Sequence, residues 1–503
     1  MQRRTIRAKQ GDSSLSDENG CGRKDGGRSA GQTARLVYII LFLILSVIPS
    51  AGLLIRGAAE PAENAEQAAF PALRSGDGRL NISFLQQAGE WFQEHFAWRR
   101  EFVTANAKIE AALFRTSAED SVILGTDGWL YYRDSLADYQ GTDLLSDRAL
   151  YDIAHTARMT QDYCSLLGSD YLFAIAPDKA SLYPEHMPYY FRPKAADASN
   201  RTRLAAFMEA EEVTWLDLGT VLGRAEEEGD SRALPELYHR RDSHWTAEGA
   251  AIAADAVLDE LGIPHRDYST AEYTLQKDFH GDLEGMLYPA AVVPEEEVSY
   301  EPAPAYGYVE EVESTFDFFI HTVSGGAGES LVVYRDSFGN AILPFLAEAY
   351  GQAYFTRGTP YTLTDLYECG ATATVFLRAE RFLPEIASKA PVMEAFPSGM
   401  DPEDEGLTAV KAVLSAAPEE ANPYYCRIDG TLEIEPAPGE RIFADPGDGN
   451  LYEAMPVHRP DGTEGFTLYL PQETADGMSA AGEWTILLLA AAGEEQLHKA
   501  EGF

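Results

Sequence analysis

Basic side chains are scarce in this 503-residue sequence. It contains 39 lysines and arginines against 81 aspartates and glutamates, which gives a formal net charge of −42 and a pI of about 4.5. A surface this acidic repels phosphate groups, which argues against a nucleic-acid-binding function. The hydrophobic share of 45% is ordinary for a folded protein, and the length predicts about two or three domains.

Cysteine is sparse as well. The sequence has four cysteines, Cys21, Cys164, Cys369 and Cys426, and the last three can form at most one disulfide bond among themselves. It contains no CxxC pair, no HExxH motif and no EF-hand loop. We therefore predict no dedicated metal site and no cofactor.

One segment is free of charge altogether. Residues 36–55 read LVYIILFLILSVIPSAGLLI, and twenty apolar residues are enough to cross a hydrocarbon core of about 30 Å as a helix. Residues 1–35, which precede it, carry eight basic and four acidic side chains, a net charge of +4, whereas the remainder of the chain carries −46. The positive-inside rule then predicts a single-pass cell-membrane protein with a cytoplasmic basic tail at 1–35 and an extracytoplasmic remainder. The alternative is a cleaved signal peptide, for which Gly57 to Ala59 offers a small-x-small site.

Residues 56–79 are rich in Ala, Glu, Pro and Gly and are predicted to form a linker. From about Leu145 helical patterns alternate with short apolar runs, which is typical of a parallel sheet covered on both faces. This pattern predicts a three-layer α/β fold. The expected strands are Tyr171 to Ala176, Val213 to Leu218, Leu331 to Tyr334, Ala353 to Phe355 and Thr374 to Leu377.

Two further regions depart from this alternation. Residues 277–328 are acidic and rich in proline, which indicates an insertion in a domain that spans residues 80–395. After a linker at 396–423, residues 424–503 show short alternating runs between Gly and Pro turns, which predicts a small β-sandwich-like module.

Ser337 lies directly after a predicted buried strand and before an amphipathic helix. A serine at this junction is close to the free N–H groups of a helix N-terminus, which can stabilise a developing oxyanion. The simpler interpretation is that Asp336 or Ser337 only caps the helix.

Asp242 and His244 form an Asp-x-His pair in a loop before a second helix. Residues i and i+2 of an extended segment point the same way, so the carboxylate of Asp242 can orient the imidazole of His244. A nucleophilic serine needs such a base, and the base needs such an orienting group. The alternative is that His244 only packs against Trp245.

These residues and several other motifs resemble one known family. The motifs occur within residues 80–390 and in the order of the DHHW family, which is related to the SGNH-hydrolase-like domain of the alginate O-acetylation proteins of the AlgX and AlgJ type. They are Gly125-Thr126-Asp127-Gly128-Trp129-Leu130, Ala176-Pro177-Asp178-Lys179 with Tyr183-Pro184, Asp242-Ser243-His244-Trp245, Gly281-Asp282-Leu283 and Arg335-Asp336-Ser337-Phe338-Gly339-Asn340.

The resemblance implies an SGNH-hydrolase-like, flavodoxin-like parallel sheet. It implies that Ser337 is the nucleophile, His244 the general base and Asp242 its orienting group. Arg335 replaces the glycine of the usual Gly-Asp-Ser turn, so it could hold the substrate or alter the turn. Four residues are candidate substrate-binding residues, namely Arg335, Asp178, Lys179 and Tyr183, although Asp178 and Lys179 could instead form a surface ion pair. Asp282 is either a cleft residue or a loop cap.

The implied function is O-acetylation of a cell-surface or secreted polysaccharide. A separate membrane-bound O-acyltransferase would supply the acetyl group, because acetyl-CoA is absent outside the cytoplasm. A carbohydrate esterase would use the same triad with water, and a non-catalytic polysaccharide-binding or assembly component could keep the same fold. The sequence leaves these three alternatives open.

Overall fold

The structure is a computed structural model that describes residues 30–56, 69–74, 78–196, 198–228, 236–401, 406–420, 422–479 and 484–490. It divides into a compact unit that ends at Phe102 and a second that begins at Val103. The basic tail up to residue 29, much of the predicted linker and residues 491–503 lie outside the described residues.

The N-terminal unit contains the predicted apolar helix. This helix, α1, runs from Ala30 to Arg56, and its stretch Gln32–Leu53 is long and apolar enough to cross a membrane by length and composition. At 1.5 Å per residue its 27 residues extend about 40 Å.

The remaining helices and strands follow in chain order. The helices are α2 (Phe84–His95), α3 (Arg99–Phe114), α4 (Leu136–Gln140), α5 (Asp147–Leu166), α6 (Lys179–Leu182), α7 (Asn200–Ala210), α8 (Leu218–Glu228), α9 (Ala247–Glu260), α10 (Asp282–Leu287), α11 (Gly339–Ala349), α12 (Asp365–Cys369), α13 (Leu383–Ser388) and α14 (Gln472–Ser479). The strands up to the end of the α/β region are β1 (Val122–Leu124), β2 (Leu130–Tyr132), β3 (Asp170–Ala176), β4 (Trp215–Asp217), β5 (Glu272–Phe279), β6 (Glu295–Glu301), β7 (Tyr306–Tyr308), β8 (Phe319–Ser324), β9 (Gly328–Arg335), β10 (Tyr350–Thr356) and β11 (Ala373–Ala379). The C-terminal strands are β12 (Leu407–Val410), β13 (Ala412–Pro418), β14 (Tyr425–Leu432), β15 (Arg441–Asp445), β16 (Tyr452–His458), β17 (Glu464–Pro471) and β18 (Thr485–Leu489).

The central sheet has the order β4-β3-β11-β9-β10-β8-β7. Its side chains alternate between two cores, since Leu331 and Val333 of β9 belong to one buried cluster and Val332 and Tyr334 to another. Alternation between two apolar faces means that both sides of the sheet are covered, which confirms the three-layer α/β arrangement.

The expectation of a wholly parallel, flavodoxin-like sheet is wrong at one edge. The strands from β4 to β10 are parallel, whereas β8 pairs antiparallel with β10 and β7 pairs antiparallel with β8. The two antiparallel strands at this edge, β7 and β8, come from the region that we expected to be an insertion at 277–328. A strand that pairs antiparallel needs no helical crossover, so this segment extends the sheet through short connections.

The C-terminal region forms one antiparallel sheet of seven strands, with the order β12-β18-β15-β16-β17-β14-β13. This single sheet replaces the expected sandwich of two sheets, and β12 and β13 occupy part of the expected linker at 396–423. One face carries a core of its own, which includes Ile428, Phe466 and Leu468. The other face contributes Met455 and Val457 to a core that it shares with helix α5, so the sheet packs on the α/β layers instead of closing on a second sheet.

Candidate active site

Ser337 lies in the three-residue turn between β9 and α11, at the carboxyl end of the parallel strands. Asp336 fixes this turn, since one of its carboxylate oxygens accepts the N–H of Phe338 at 2.8 Å and the other accepts the N–H of Ala379 at 2.8 Å. Ser337 itself is half-buried, and its own N–H group makes no backbone hydrogen bond within the described part of the chain. The turn therefore presents a hydroxyl and a free N–H donor side by side.

The Asp242–His244 loop meets this turn. The Nε2 atom of His244 is 2.8 Å from Ser337 Oγ, and its Nδ1 atom is 2.7 Å from Asp242 Oδ1. The same Asp242 oxygen accepts the backbone N–H of His244 at 2.8 Å, so the two residues are locked together as the i, i+2 spacing predicted. If Nδ1 carries the proton, Nε2 is free to accept the proton of the Ser337 hydroxyl.

Burial and charge act in opposite directions on this pair. Burial alone would raise the pKa of Asp242, but the His244 charge and several hydrogen bonds outweigh it and lower the pKa of Asp242 below its usual range. For His244, burial disfavours the charged form, yet the Asp242 carboxylate raises the pKa of His244 above its ordinary value. The imidazole is thus a stronger base than a free histidine.

Lys179 lies beneath the same loop. Its buried ammonium group donates hydrogen bonds to the backbone carbonyl oxygens of His239 at 3.0 Å and Arg240 at 3.1 Å, and also to that of Asp242. Burial lowers the pKa of Lys179 to about 8. Lys179 therefore holds the loop that carries Asp242 and has no donor left over for a substrate.

Asp178 and Tyr183 are likewise buried and engaged. Asp178 forms an ion pair with Arg381, and the Tyr183 hydroxyl contacts Glu226 while it accepts the N–H of Leu237 at 2.7 Å. Asp178 is thus at the predicted sheet edge but pairs with Arg381, not with Lys179. These contacts favour a role for both residues in supporting the loops of the site.

Arg335 is also turned away from the site. Only 1% of it is exposed, and its guanidinium donates to the carbonyl oxygen of Thr315 at 2.9 Å and to the side chain of Asn340. A Cβ at Gly339 would approach Arg335 Cδ to 2.4 Å, so this arginine packs under the start of α11. These contacts favour the alternative that Arg335 alters the turn, and substrate binding by Arg335 stays a prediction.

Asp282, for which the sequence analysis left two alternatives open, adjoins the hydrogen-bonded residues Asp242 and His244. Its carboxylate accepts the N–H of Ser243 at 2.8 Å and the hydroxyl of Ser243 at 2.5 Å. Its own N–H donates to Asp242 Oδ2 at 2.7 Å. The Gly281-Asp282-Leu283 motif was the signal in the sequence, but nothing in its spacing showed which loop it contacts.

In the part of the chain that the structure describes, two groups of side chains have potential ligand atoms within 4.8 Å of one another. They are Asp242, His244 and Asp282, and, fully buried, Asp138, Asp178 and Glu380. The contacts within the first group are the hydrogen bonds described above. In the second, one oxygen of Asp138 and one of Asp178 have no hydrogen-bond partner among the described residues. Burial raises the pKa of Asp138 to about 8, and the charges of Glu380 and Asp178 add to the effect, so this environment favours the protonated form of Asp138.

Comparison with known proteins identifies relatives of part of the chain. Residues 122–317 match the family model of the SGNH hydrolase-like domain of acetyltransferase AlgX, a region that contains Asp242 and His244 and ends before Ser337. The chain is 27% identical over 262 residues to the probable alginate O-acetylase AlgJ of Pseudomonas fluorescens, an alignment that covers 50% of this chain and 60% of that relative. It is 26% identical over 174 residues to the protein of the same name from Pseudomonas aeruginosa, covering 35% of this chain and 41% of the relative. The chain thus spans less than two thirds of the length of these relatives.

Matches among solved structures include a DHHW family protein from Eubacterium siraeum, with 18% identity, a TM-score of 0.36 and coverage of 46% of this chain and 85% of that one. PatB1 of Bacillus cereus with a sulfonyl adduct gives 14% identity, a TM-score of 0.40 and coverage of 52% and 95%. The resemblance to the alginate O-acetylation proteins, inferred from the motifs, is confirmed by the family model and the curated relatives.

Proposed function

We propose that this protein is a serine-dependent O-acetyltransferase that transfers acetyl groups to hydroxyl groups of a cell-surface or secreted polysaccharide outside the cytoplasm. The observation that carries the proposal is the chain of two hydrogen bonds from Ser337 Oγ to His244 Nε2 at 2.8 Å and from His244 Nδ1 to Asp242 Oδ1 at 2.7 Å. Relatives named as alginate O-acetylases support acetyl transfer as the reaction and a polysaccharide as the acceptor.

In the first half-reaction, His244 takes the proton of the Ser337 hydroxyl, and Ser337 Oγ attacks the carbonyl carbon of the acetyl donor. The N–H group of Ser337, which has no backbone acceptor among the described residues, then donates to the oxygen that becomes negatively charged. The bond to the donor's leaving group then breaks, His244 returns the proton to that group, and an acetyl ester remains on Ser337.

In the second half-reaction, His244 removes the proton of a sugar hydroxyl, and that oxygen attacks the ester carbonyl. The ester bond to Ser337 breaks, and His244 returns the proton to Ser337 Oγ. Asp242 keeps the imidazole in place and stabilises its charged form in both halves. Because acetyl-CoA is confined to the cytoplasm, the donor is delivered by a membrane-bound O-acyltransferase partner.

The test uses the full-length protein in detergent with an activated acetyl ester, with and without oligosaccharides. We expect leaving-group release together with acetylated oligosaccharide detected by mass spectrometry. Ser337→Ala and His244→Ala should each lower turnover on the order of 10³-fold, and the double variant should be little worse than either, because the residues act as one unit. Asp242→Ala should cost less, since that residue acts through His244.

Ser165→Ala is the matched control, because Ser165 is an exposed serine on α5 outside the site. Hydrolysis of the ester without transfer to any oligosaccharide would identify a carbohydrate esterase instead. A folded Ser337→Ala protein with wild-type turnover would refute the enzymatic proposal and leave a polysaccharide-binding component.

A further inference from the structure

The triad carboxylate is held at both of its oxygens, and the second contact comes from outside the Asp-x-His loop. Asp242 Oδ1 accepts the two N–H groups of His244, whereas Asp242 Oδ2 accepts the backbone N–H of Asp282 at 2.7 Å. A carboxylate fixed at both oxygens cannot rotate away from the imidazole. The direction of Asp242 is therefore set in part by the start of helix α10.

Gly281 makes this contact possible. A Cβ atom at this position would lie 2.3 Å from the carbonyl oxygen of Arg241, so any other residue would push the two backbone segments apart. The close approach places the N–H of Asp282 against Asp242.

The side chain of Asp282 holds the loop from the other side. Its two oxygens accept the N–H and the hydroxyl of Ser243, the residue between Asp242 and His244. Its Oδ2 atom lies 3.7 Å from His244 Nδ1, which is too long for a hydrogen bond but close for an electrostatic interaction. Ser243 Oγ is 3.2 Å from the same Nδ1 atom and lies between the two groups.

We propose that Asp282 is a positioning residue of this site, which orients Asp242 through its backbone N–H group and adds a second negative charge that stabilises protonated His244. The inference rests on the proposed function, in which His244 is the general base. The other groups that face the imidazole are the Asp242 carboxylate, the Ser337 hydroxyl and the ring of Phe338, with the guanidinium of Arg381 opposing protonation. The ammonium group of Lys179 neutralises part of this negative charge from below the loop.

The test measures the protonation of His244 without requiring any enzymatic activity. Diethyl pyrocarbonate reacts with neutral imidazole, so the rate at which it modifies His244 in the full-length protein, followed against pH by peptide mass spectrometry, gives the midpoint of its titration. In Asp282→Asn the backbone N–H and one side-chain oxygen remain, but the charge is lost. We expect this midpoint to fall by about one pH unit, since one partly exposed charge near 4 Å is removed.

The matched control is Asp278→Asn, which removes an exposed carboxylate four residues away and should leave the midpoint unchanged. Gly281→Ala alters no charge and tests the backbone contact separately. It should slow labelling of Ser337 by a serine-directed phosphonate roughly tenfold, because Asp242 loses its fixed direction.

A midpoint in Asp282→Asn equal to that of the wild type would overturn the proposal, as would a fall of the same size in Asp278→Asn. Failure of the proposed function has a different signature. In that case the phosphonate would not label Ser337 in the wild-type protein, while the His244 midpoint would still respond to Asp282→Asn.

Discussion

The carboxyl group of Asp138 lies in a buried cluster with the carboxyl groups of Asp178 and Glu380, and only 3% of Asp138 is exposed. Among the described residues, the side-chain amide of Asn200 donates a hydrogen bond to Asp138 Oδ1 at 3.3 Å. Because burial and the charges of Glu380 and Asp178 raise the pKa of Asp138 to about 8, the folded protein keeps a proton there that the unfolded chain loses near pH 4.

We therefore expect stability to depend on pH through this residue. Between about pH 4 and pH 8 the folded state binds more protons at Asp138 than the unfolded state, so the free energy of unfolding falls as the pH rises. Asp138→Asn mimics the protonated acid and removes this dependence. The variant should gain stability relative to the wild type across that window, by roughly 1 kcal/mol or more at pH 8.

Urea unfolding of both proteins at several pH values measures this difference. Asp120→Asn, which removes an exposed acid away from this cluster, serves as the control. A difference between Asp138→Asn and the wild type that stayed constant from pH 4 to pH 8 would contradict the expectation.

At the scale of residues, the sequence predicted those contacts and positions of the site that depend on neighbouring residues in the chain. Asp242 and His244 are two positions apart, so their contact follows from an extended loop, and Ser337 follows a recognisable buried strand. The contacts of Arg335, Asp178, Lys179 and Tyr183 were not predictable, because every partner except Asn340, which contacts Arg335, lies on an element distant in sequence. A charged side chain near a sheet edge has the same sequence signature whether it faces a cleft or supports a loop from below.

At the scale of elements, the C-terminal sheet shares its core with the α/β layers. Val457 on β16 is 4% exposed and belongs to the same buried cluster as Leu150 on α5, and Arg148 donates to the carbonyl oxygen of Glu440 at 2.7 Å. That residues 80–395 fold without this module stays a prediction, and the shared core opposes it.

Val457→Asn should destabilise the α/β layers and the sheet together, by about 2–4 kcal/mol, because it places an amide in an apolar core. Val413→Asn makes the same change at a position that is 68% exposed, and it should cost less than about 0.5 kcal/mol. Chemical unfolding of the two variants and the wild type, followed by tryptophan fluorescence, measures the change in the free energy of unfolding. The described tryptophans include Trp129 and Trp245 in the α/β core, so the signal reports on that region. Two separate transitions, with only one shifted by Val457→Asn, would show that the two regions fold independently.

The short, continuous apolar runs between helical patterns predicted that both faces of the α/β sheet are covered, and the two cores of that sheet agree with this. The apolar–polar alternation of the C-terminal runs could not distinguish one sheet from a sandwich, because alternation reports that a strand has a buried face and not what buries it. The antiparallel edge was missed for a related reason: a polar, proline-rich segment is compatible with a loop or with an edge strand.

At the scale of the whole molecule, the predicted orientation across the membrane can be tested with a native cysteine. With the tail in the cytoplasm, a membrane-impermeant maleimide applied to intact cells should not label Cys21, but it should label Ala62→Cys in a Cys21→Ser background. Lysed cells provide the control for reactivity. Labelling of Cys21 on intact cells would show that the orientation is the opposite of the predicted one. A mature protein whose mass shows that residues 1–59 are missing would establish cleavage of a signal peptide.

Both outer strands of the central sheet are three residues long, namely β4 at one edge and β7 at the other. Short edge strands offer few free backbone groups for pairing with another chain. The acidic residues that follow β7, Glu310, Glu311 and Glu313, add like-charge repulsion between any two copies that approach along this edge. With α1 in a membrane, as proposed, crowding of the chains on its surface should therefore not drive their central sheets to join edge to edge.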